Sequence, residues 1–342
     1  MGFSVGIVGL PNVGKSTLFK ALTKKQVNIA PYPFTTIDPN IGIVEVPDER
    51  LEKIAKIVNP EKVTKTVIEF VDIAGLVKNA HKGEGLGNQF LAQIRNSDAV
   101  LIILRGFEKE DVENVLGELN PNKEWEILKT ELLMKDLETL ENAISNLEGK
   151  IKSKEKIVLK KFSLLKKIKE SVSKGRLISE IDLSNEEKEM VKEFQFLTQK
   201  PMIFVLNGEK DFSLNFPYFL LNLKEELEIS ELSKEEQKEL GVSSKLDQLI
   251  LGCYNILDLI TFYTIAKGKE VKAWTIKKGG RAIDAASKVH TDFKERFIRA
   301  EVISWEKLVE IGSLALAKQK GLVQIVGKDY VLKDGDIIEF KI

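Results

Sequence analysis

The chain has 342 residues, 43% hydrophobic and 30% charged, and its 52 Lys and Arg balance 52 Asp and Glu to zero net charge. That length asks for more than one core, and the composition excludes disordered and fibrous chains. A single cysteine, Cys253, rules out an intrachain disulfide framework, and two histidines, His81 and His290, cannot build a multi-histidine metal centre. No apolar run has the length of a bilayer span, and Met1-Gly2-Phe3-Ser4-Val5 leads into a strand pattern rather than a signal peptide. The expectation is a cytoplasmic chain without a membrane partner.

In chain order the first element is an apolar, β-branched strand over Phe3 to Val8, running into Gly9-Leu10-Pro11-Asn12-Val13-Gly14-Lys15-Ser16. This is G-x-x-x-x-G-K-[ST] between a strand and an apolar helix carrying Leu18, Phe19 and Leu22. Glycines let backbone N–H groups converge on phosphate oxygens, and the helix N-terminus adds positive potential. Asn12, Val13, Gly14, Lys15, Ser16 and Thr17 are therefore nucleotide-binding candidates. Lys15 is suited to the β- and γ-phosphates and Ser16 to Mg2+.

Next, Pro31-Tyr32-Pro33-Phe34-Thr35-Thr36 suits a loop that orders around Mg-nucleotide, with Thr36 as a metal ligand. A second strand, Val67 to Val71, ends in Asp72-Ile73-Ala74-Gly75, where Asp72 would hold Mg2+ through water and the Gly75 N–H would meet the γ-phosphate. Leu76 stands where Ras-like enzymes place a water-orienting glutamine and cannot accept a hydrogen bond. His81 heads the glycine-rich stretch that follows and is a candidate to orient water instead.

From Trp125 an amphipathic helix runs to about residue 147, a second covers about 154 to 173 after a turn at 149–153, and Ser184-Asn185-Glu186-Glu187 caps a third. Between Lys150 and Arg176 there are eleven Lys or Arg against two acids, readable as an RNA-facing patch or as a solvated helix face. Met202 to Leu206 returns to a buried-strand pattern. From about Leu259 short strands alternate with glycine turns at Gly279-Gly280 and Gly335, with one helix over Ala282 to His290.

Asp72-Ile73-Ala74-Gly75-Leu76-Val77 followed by Lys82-Gly83-Glu84-Gly85-Leu86-Gly87-Asn88-Gln89-Phe90-Leu91 closely resembles the Obg-like P-loop NTPases of the YchF subfamily. Thr130-Glu131-Leu132-Leu133, Val271-Lys272-Ala273-Trp274-Thr275 and Gly327-Lys328-Asp329-Tyr330-Val331 extend that resemblance over nearly the whole chain. It implies an α/β fold: a P-loop domain over 1–122 and 200–258, a helical coiled-coil insertion over 123–199, and a β-grasp TGS domain over 259–342. It also implies a ribosome-associated ATPase whose partner is the ribosome, in particular the large subunit, reached through the hairpin 150–176 and the TGS domain. A nucleotide-gated binding protein with negligible turnover and an Obg-like GTPase of ribosome assembly remain alternatives.

Three stretches depart from the family, one of them the segment near Leu220-Leu221-Asn222, which lacks the serine of the family's S-A-[KA]. Its base loop reads N-x-x-E, but here Asn207-Gly208-Glu209-Lys210 puts Lys210 at the acid position and leaves Glu209 one residue early. Asn207 and Glu209 are the base-site candidates, and ATP is expected over GTP because Lys210 cannot accept guanine's ring and amino hydrogens. After Arg105-Gly106-Phe107-Glu108, Asn114 takes the place of a family histidine and is the second water-positioning candidate. Asn12 matches the asparagine with which related GTPases lacking the glutamine hold K+; its plain alternative is a turn residue after Pro11.

Overall fold

The computed structural model describes residues 3–24, 40–73, 88–109, 111–148, 156–266 and 268–342. The first half of the chain holds β1 (Phe3–Val8), α1 (Lys15–Lys24), β2 (Ile41–Glu45), α2 (Glu49–Val58), β3 (Lys62–Thr64), β4 (Val67–Asp72), α3 (Asn88–Asn96), β5 (Ala99–Gly106) and α4 (Pro121–Glu148). Then follow α5 (Lys156–Ser173), α6 (Asn185–Val191), β6 (Met202–Gly208), β7 (Phe219–Leu221), α7 (Leu223–Glu231), α8 (Lys234–Glu239) and α9 (Leu246–Ile256). The last stretch holds β8 (Leu259–Ala266), β9 (Glu270–Lys277), α10 (Ala282–Val289), α11 (Thr291–Glu295), β10 (Arg299–Ser304), α12 (Trp305–Ile311), α13 (Leu314–Gln319), β11 (Gln324–Val326) and β12 (Asp336–Lys341). These elements form two compact units, Met1–Val44 with Glu69–Leu246 and Glu45–Ile68 with Asp247–Ile342.

The first unit is built on a sheet of order β2-β4-β1-β5-β6-β7, parallel from β1 through β5 and β6 to β7. All eight residues of β5 are buried, as a central parallel strand covered on both faces requires. Strand order turns at β1, so the loop after it opens at the C-terminal edge of the sheet, where α/β folds bind ligands.

The helical insertion does not begin at residue 123 as expected from sequence. α4 runs unbroken for 28 residues, and Trp125, Leu128 and Leu132 belong to the sheet core with Ile102, Phe204 and Leu206. Leu133, Leu140 and Ile144 then pack with Leu165, Ile168 and Val172 of α5 in a separate helical core. The change of core falls inside the helix because its apolar stripe is continuous, with nothing to cap or break it. Asp136, fully buried, accepts bonds from the Leu197 N–H (2.8 Å), the Thr198 N–H (2.8 Å) and the Thr198 hydroxyl (2.6 Å), locking α4 to the chain that re-enters the sheet.

The second unit carries a sheet of order β11-β10-β12-β8-β9-β3. Alternate residues sort to its two faces: Phe262, Val302 and Ile338 meet Ala282 and Ala285 of α10, while Tyr263, Ile303 and Ile337 meet Leu51 and Ile54 of α2, Leu308 of α12 and Ala317 of α13. The sequence expectation of one helix in this region misses α11, α12 and α13. The expected block 1–122 is also divided, because α2 covers one face of this sheet and β3 pairs in parallel with β9 at its edge. The Tyr263 hydroxyl donates to Asp48 at 2.5 Å, and Arg50 bonds both Asp48 (2.9 Å) and Asp334 (2.6 Å).

Candidate nucleotide-binding site

The loop from Gly9 to Ser16 leaves β1 and enters α1. Gly14 has φ +109, and a Cβ there would lie 2.5 Å from Asn207 Nδ2, so the position requires glycine. Asn207, buried at the end of β6, donates from Nδ2 to the Val13 carbonyl (2.8 Å) and accepts the Leu223 N–H on Oδ1 (3.0 Å). It thus pins the phosphate loop to the start of α7 through both amide atoms.

Lys15 is 6% exposed and folds back to donate to the carbonyls of Gly9 (2.9 Å) and Leu10 (2.7 Å). Burial lowers its pKa to about 8, opposed by the charges of Asp72 and Glu124. The Ser16 hydroxyl donates to Asp72 Oδ2 at 3.3 Å, joining the first residues of α1 to the end of β4. A hydroxyl and a carboxylate oxygen converging there are the donor types a hard divalent cation takes. Asn12, at φ 63, donates from Nδ2 to the Glu113 carbonyl at 3.3 Å.

Asn12, Gly14, Lys15, Ser16 and Asn207 border a cleft of about 880 Å³, within the range of nucleotide-sized sites. Asn12, Gly14, Lys15, Ser16 and Thr17 line it together with Asn207, Gly208, Glu209, Lys210 and Asn222. Lys15, Lys109, Lys210 and Lys224 outnumber Glu108 and Glu209 around it, which suits a polyanionic ligand. Glu209 accepts a bond from Asn222 Nδ2 on Oε1 (3.0 Å), and Asn222 Oδ1 caps α7 by accepting the Lys224 and Glu225 N–H groups. Asn222 stands in the segment where the family's serine is missing, and its N-cap chemistry was the available signal for it.

Asn114 is not brought to the cleft. Its Nδ2 donates to the Glu118 carbonyl (2.7 Å) and its Oδ1 accepts the Leu116 N–H (3.0 Å), so the amide closes its own turn. Thr35, Thr36, Gly75, Leu76 and His81 lie outside the described residues, as does the turn at 149–153. Glu124 was missed in the sequence because an acid in the first turn of a helix is ordinary there. It is 2% exposed, accepts the Arg105 N–H at 2.8 Å, and is raised to about 7 by burial, against the pull of that bond and of the Arg105 and Lys15 charges.

The hairpin α4–α5 carries less free positive charge than its sequence window suggests. Lys160 pairs with Glu186 (2.6 Å), Lys161 with Glu193, Lys167 with Glu187 (3.8 Å), Lys169 with Glu141 (3.0 Å) and Lys174 with Glu170 (2.6 Å). Most of those acids lie outside residues 150–176, on α4 and in the stretch from α6 to residue 193. Among the described residues no helix is long and apolar enough to cross a membrane.

Comparison with known proteins agrees with this anatomy. Residues 4–161 match a family profile described as "50S ribosome-binding GTPase". Residues 259–342 match the profile of the YchF GTPase C-terminal region, described as "Protein of unknown function (DUF933)". The curated "Ribosome-binding ATPase YchF" of Bacillus subtilis is 42% identical over 100% of this chain and 99% of its own length. That of Escherichia coli O157:H7 is 43% identical over 99% of each. A solved structure of the Schizosaccharomyces pombe YchF GTPase superposes with a TM-score of 0.89 at 32% identity, covering 99% of this chain and 98% of the other. With a P-loop cleft of this geometry, and relatives matched from end to end, the chain belongs to the YchF family of P-loop nucleoside triphosphatases.

Proposed function

We propose that the cleft binds Mg-ATP, that the chain hydrolyses it, and that nucleotide state controls binding to the ribosome. The observation that carries this reading is that Lys15 and Ser16 line a nucleotide-sized cleft and that the Ser16 hydroxyl reaches Asp72 at 3.3 Å. Lys15 and the N–H groups of Val13 to Thr17 bind the β- and γ-phosphates. Ser16, Asp72 and Thr36 are the residues that would hold Mg2+, which when bound neutralises charge on the phosphate oxygens. The Gly75 N–H serves the γ-phosphate, and His81 is the side chain left to orient water, since Asn114 is engaged in its own turn. Asn12 keeps Oδ1 for K+ while its Nδ2 holds Glu113.

The ribosome comes from the relatives' names, and the large subunit from the profile matched by residues 4–161. The hairpin 150–176 and the TGS unit are the docking surfaces of this reading. The Lys160–Glu186 and Lys174–Glu170 pairs of the hairpin are exposed and open to exchange with RNA phosphates. A ribosomal partner places the chain in the cytoplasm.

ATP is the preferred nucleotide. Glu209 already accepts from Asn222, and Lys210 lines the cleft where guanine's hydrogens need an acceptor. A base donor left unpaired costs about 1–3 kcal/mol. Calorimetric titration is expected to show ATP binding roughly tenfold tighter than GTP. GTP bound as tightly as ATP would refute the preference.

A further inference from the structure

Arg105 ends the buried run of β5 with 2% of its surface exposed, and the nucleotide chemistry above makes no use of its charge. Among the described residues its guanidinium donates only to backbone carbonyls of the segment that follows: Nε to Phe107 (3.1 Å), Nη2 to Val112 (2.8 Å) and Nη1 to Glu113 (2.9 Å). It also lies over the Phe107 ring, 4.5 Å from the centroid. The Glu113 carbonyl accepts a second bond, from Asn12 Nδ2 of the phosphate loop. Phe107, Val112 and Asn12 all line the cleft. Glu124, buried in the first turn of α4, accepts the Arg105 backbone N–H at 2.8 Å. Burying a guanidinium is expensive, and solvent-exposed side chains could close a surface loop without that cost. What the buried fork gains is a fixed spacing between three carbonyls and one ring.

We propose that Arg105 is a positioning residue for the nucleotide: it holds Phe107, Val112 and, through the Glu113 carbonyl, Asn12 at the spacing the bound nucleotide requires, and Glu124 ties that assembly to α4. Arg105 itself touches neither base nor phosphate. Lysine cannot replace it, because one ammonium cannot span the three carbonyls that the planar fork reaches. The proposal rests on the reading of the cleft as the nucleotide site.

The test is Arg105→Lys in the full chain, which keeps the charge and removes the fork. Its dissociation constant and KM for ATP are expected to rise tenfold or more, with kcat at saturation within threefold of wild type. In nucleotide-free protein, amide hydrogen exchange around Phe107 and Val112 is expected to quicken while that of β6 stays unchanged. A merely structural role would lower stability without this split between KM and kcat. Should the variant not fold, Asn12→Ala decides: Asn12 is exposed, and losing its bond to Glu113 should quicken exchange at Val112 and Glu113, a change no lost cation would produce in potassium-free buffer. ATP affinity and exchange both unchanged in folded Arg105→Lys, or unchanged exchange in Asn12→Ala where the first variant cannot be made, overturn the role of Arg105. Wild-type protein that binds no ATP would instead overturn the reading of the cleft.

Discussion

Lys15→Ala is expected to reduce single-turnover hydrolysis of Mg-ATP by a thousandfold or more. The ammonium is the buried positive charge at the phosphate end of the cleft, and charge developing on the transferred group would lose its nearest compensating cation. Lys15 also closes its own loop through the Gly9 and Leu10 carbonyls. The substitution therefore leaves two acceptors to water and costs about 1–2 kcal/mol of stability, with the fold retained. Quenched-flow hydrolysis alongside a thermal melt separates the two effects. Turnover within tenfold of wild type, in protein that melts cooperatively, would remove Lys15 from the phosphate site.

Asp136→Asn is expected to cost about 2–4 kcal/mol. The carboxylate is fully buried and meets three donors, the N–H groups of Leu197 and Thr198 and the Thr198 hydroxyl. Burial raises its pKa, while those bonds and the charge of Arg95 pull it back. An asparagine amide would turn an NH2 group towards at least one of the donors, leaving a buried N–H without an acceptor. Because the three bonds join α4 to the chain re-entering the sheet, the loss should appear as earlier urea unfolding of the first unit and as faster proteolysis of the helical module. An unfolding midpoint indistinguishable from wild type would show that α4 is held by its apolar stripe alone.

The phosphate site and the sheet that bears it were legible because their signals are local. Phe3 to Val8, the glycine spacing up to Ser16 and the strand ending at Asp72 each carry their pattern within a few residues. The cap at Ser184 was legible for the same reason: its hydroxyl accepts the Glu187 N–H and the Glu187 carboxylate returns to the Ser184 N–H. Other features depend on contacts between distant segments. α2 carries local stop and start signals, Asp48 at its N-cap and Asn59 in the left-handed region before Pro60, but nothing near it announces the sheet that Leu51 and Ile54 cover. A charge count over 150–176 reads only one side of four of the five ion pairs, since Glu141, Glu186, Glu187 and Glu193 lie outside the window. Asn114 and Asn207 are polar residues near functional motifs, and only coordinates show that their amides are used by backbone groups. Arg105 and Glu124 show the reverse case, charges that look solvent-facing in sequence and are 2% exposed in the fold.

If nucleotide turnover in this cleft is coupled to the ribosome, steady-state hydrolysis of ATP by the purified chain must respond to purified ribosomes, with Lys15→Ala as the blank. Hydrolysis is expected to rise when ribosomes are added and to disappear in the blank. A rate that ribosomes leave unchanged, or that survives equally in Lys15→Ala, would contradict coupled turnover in this cleft.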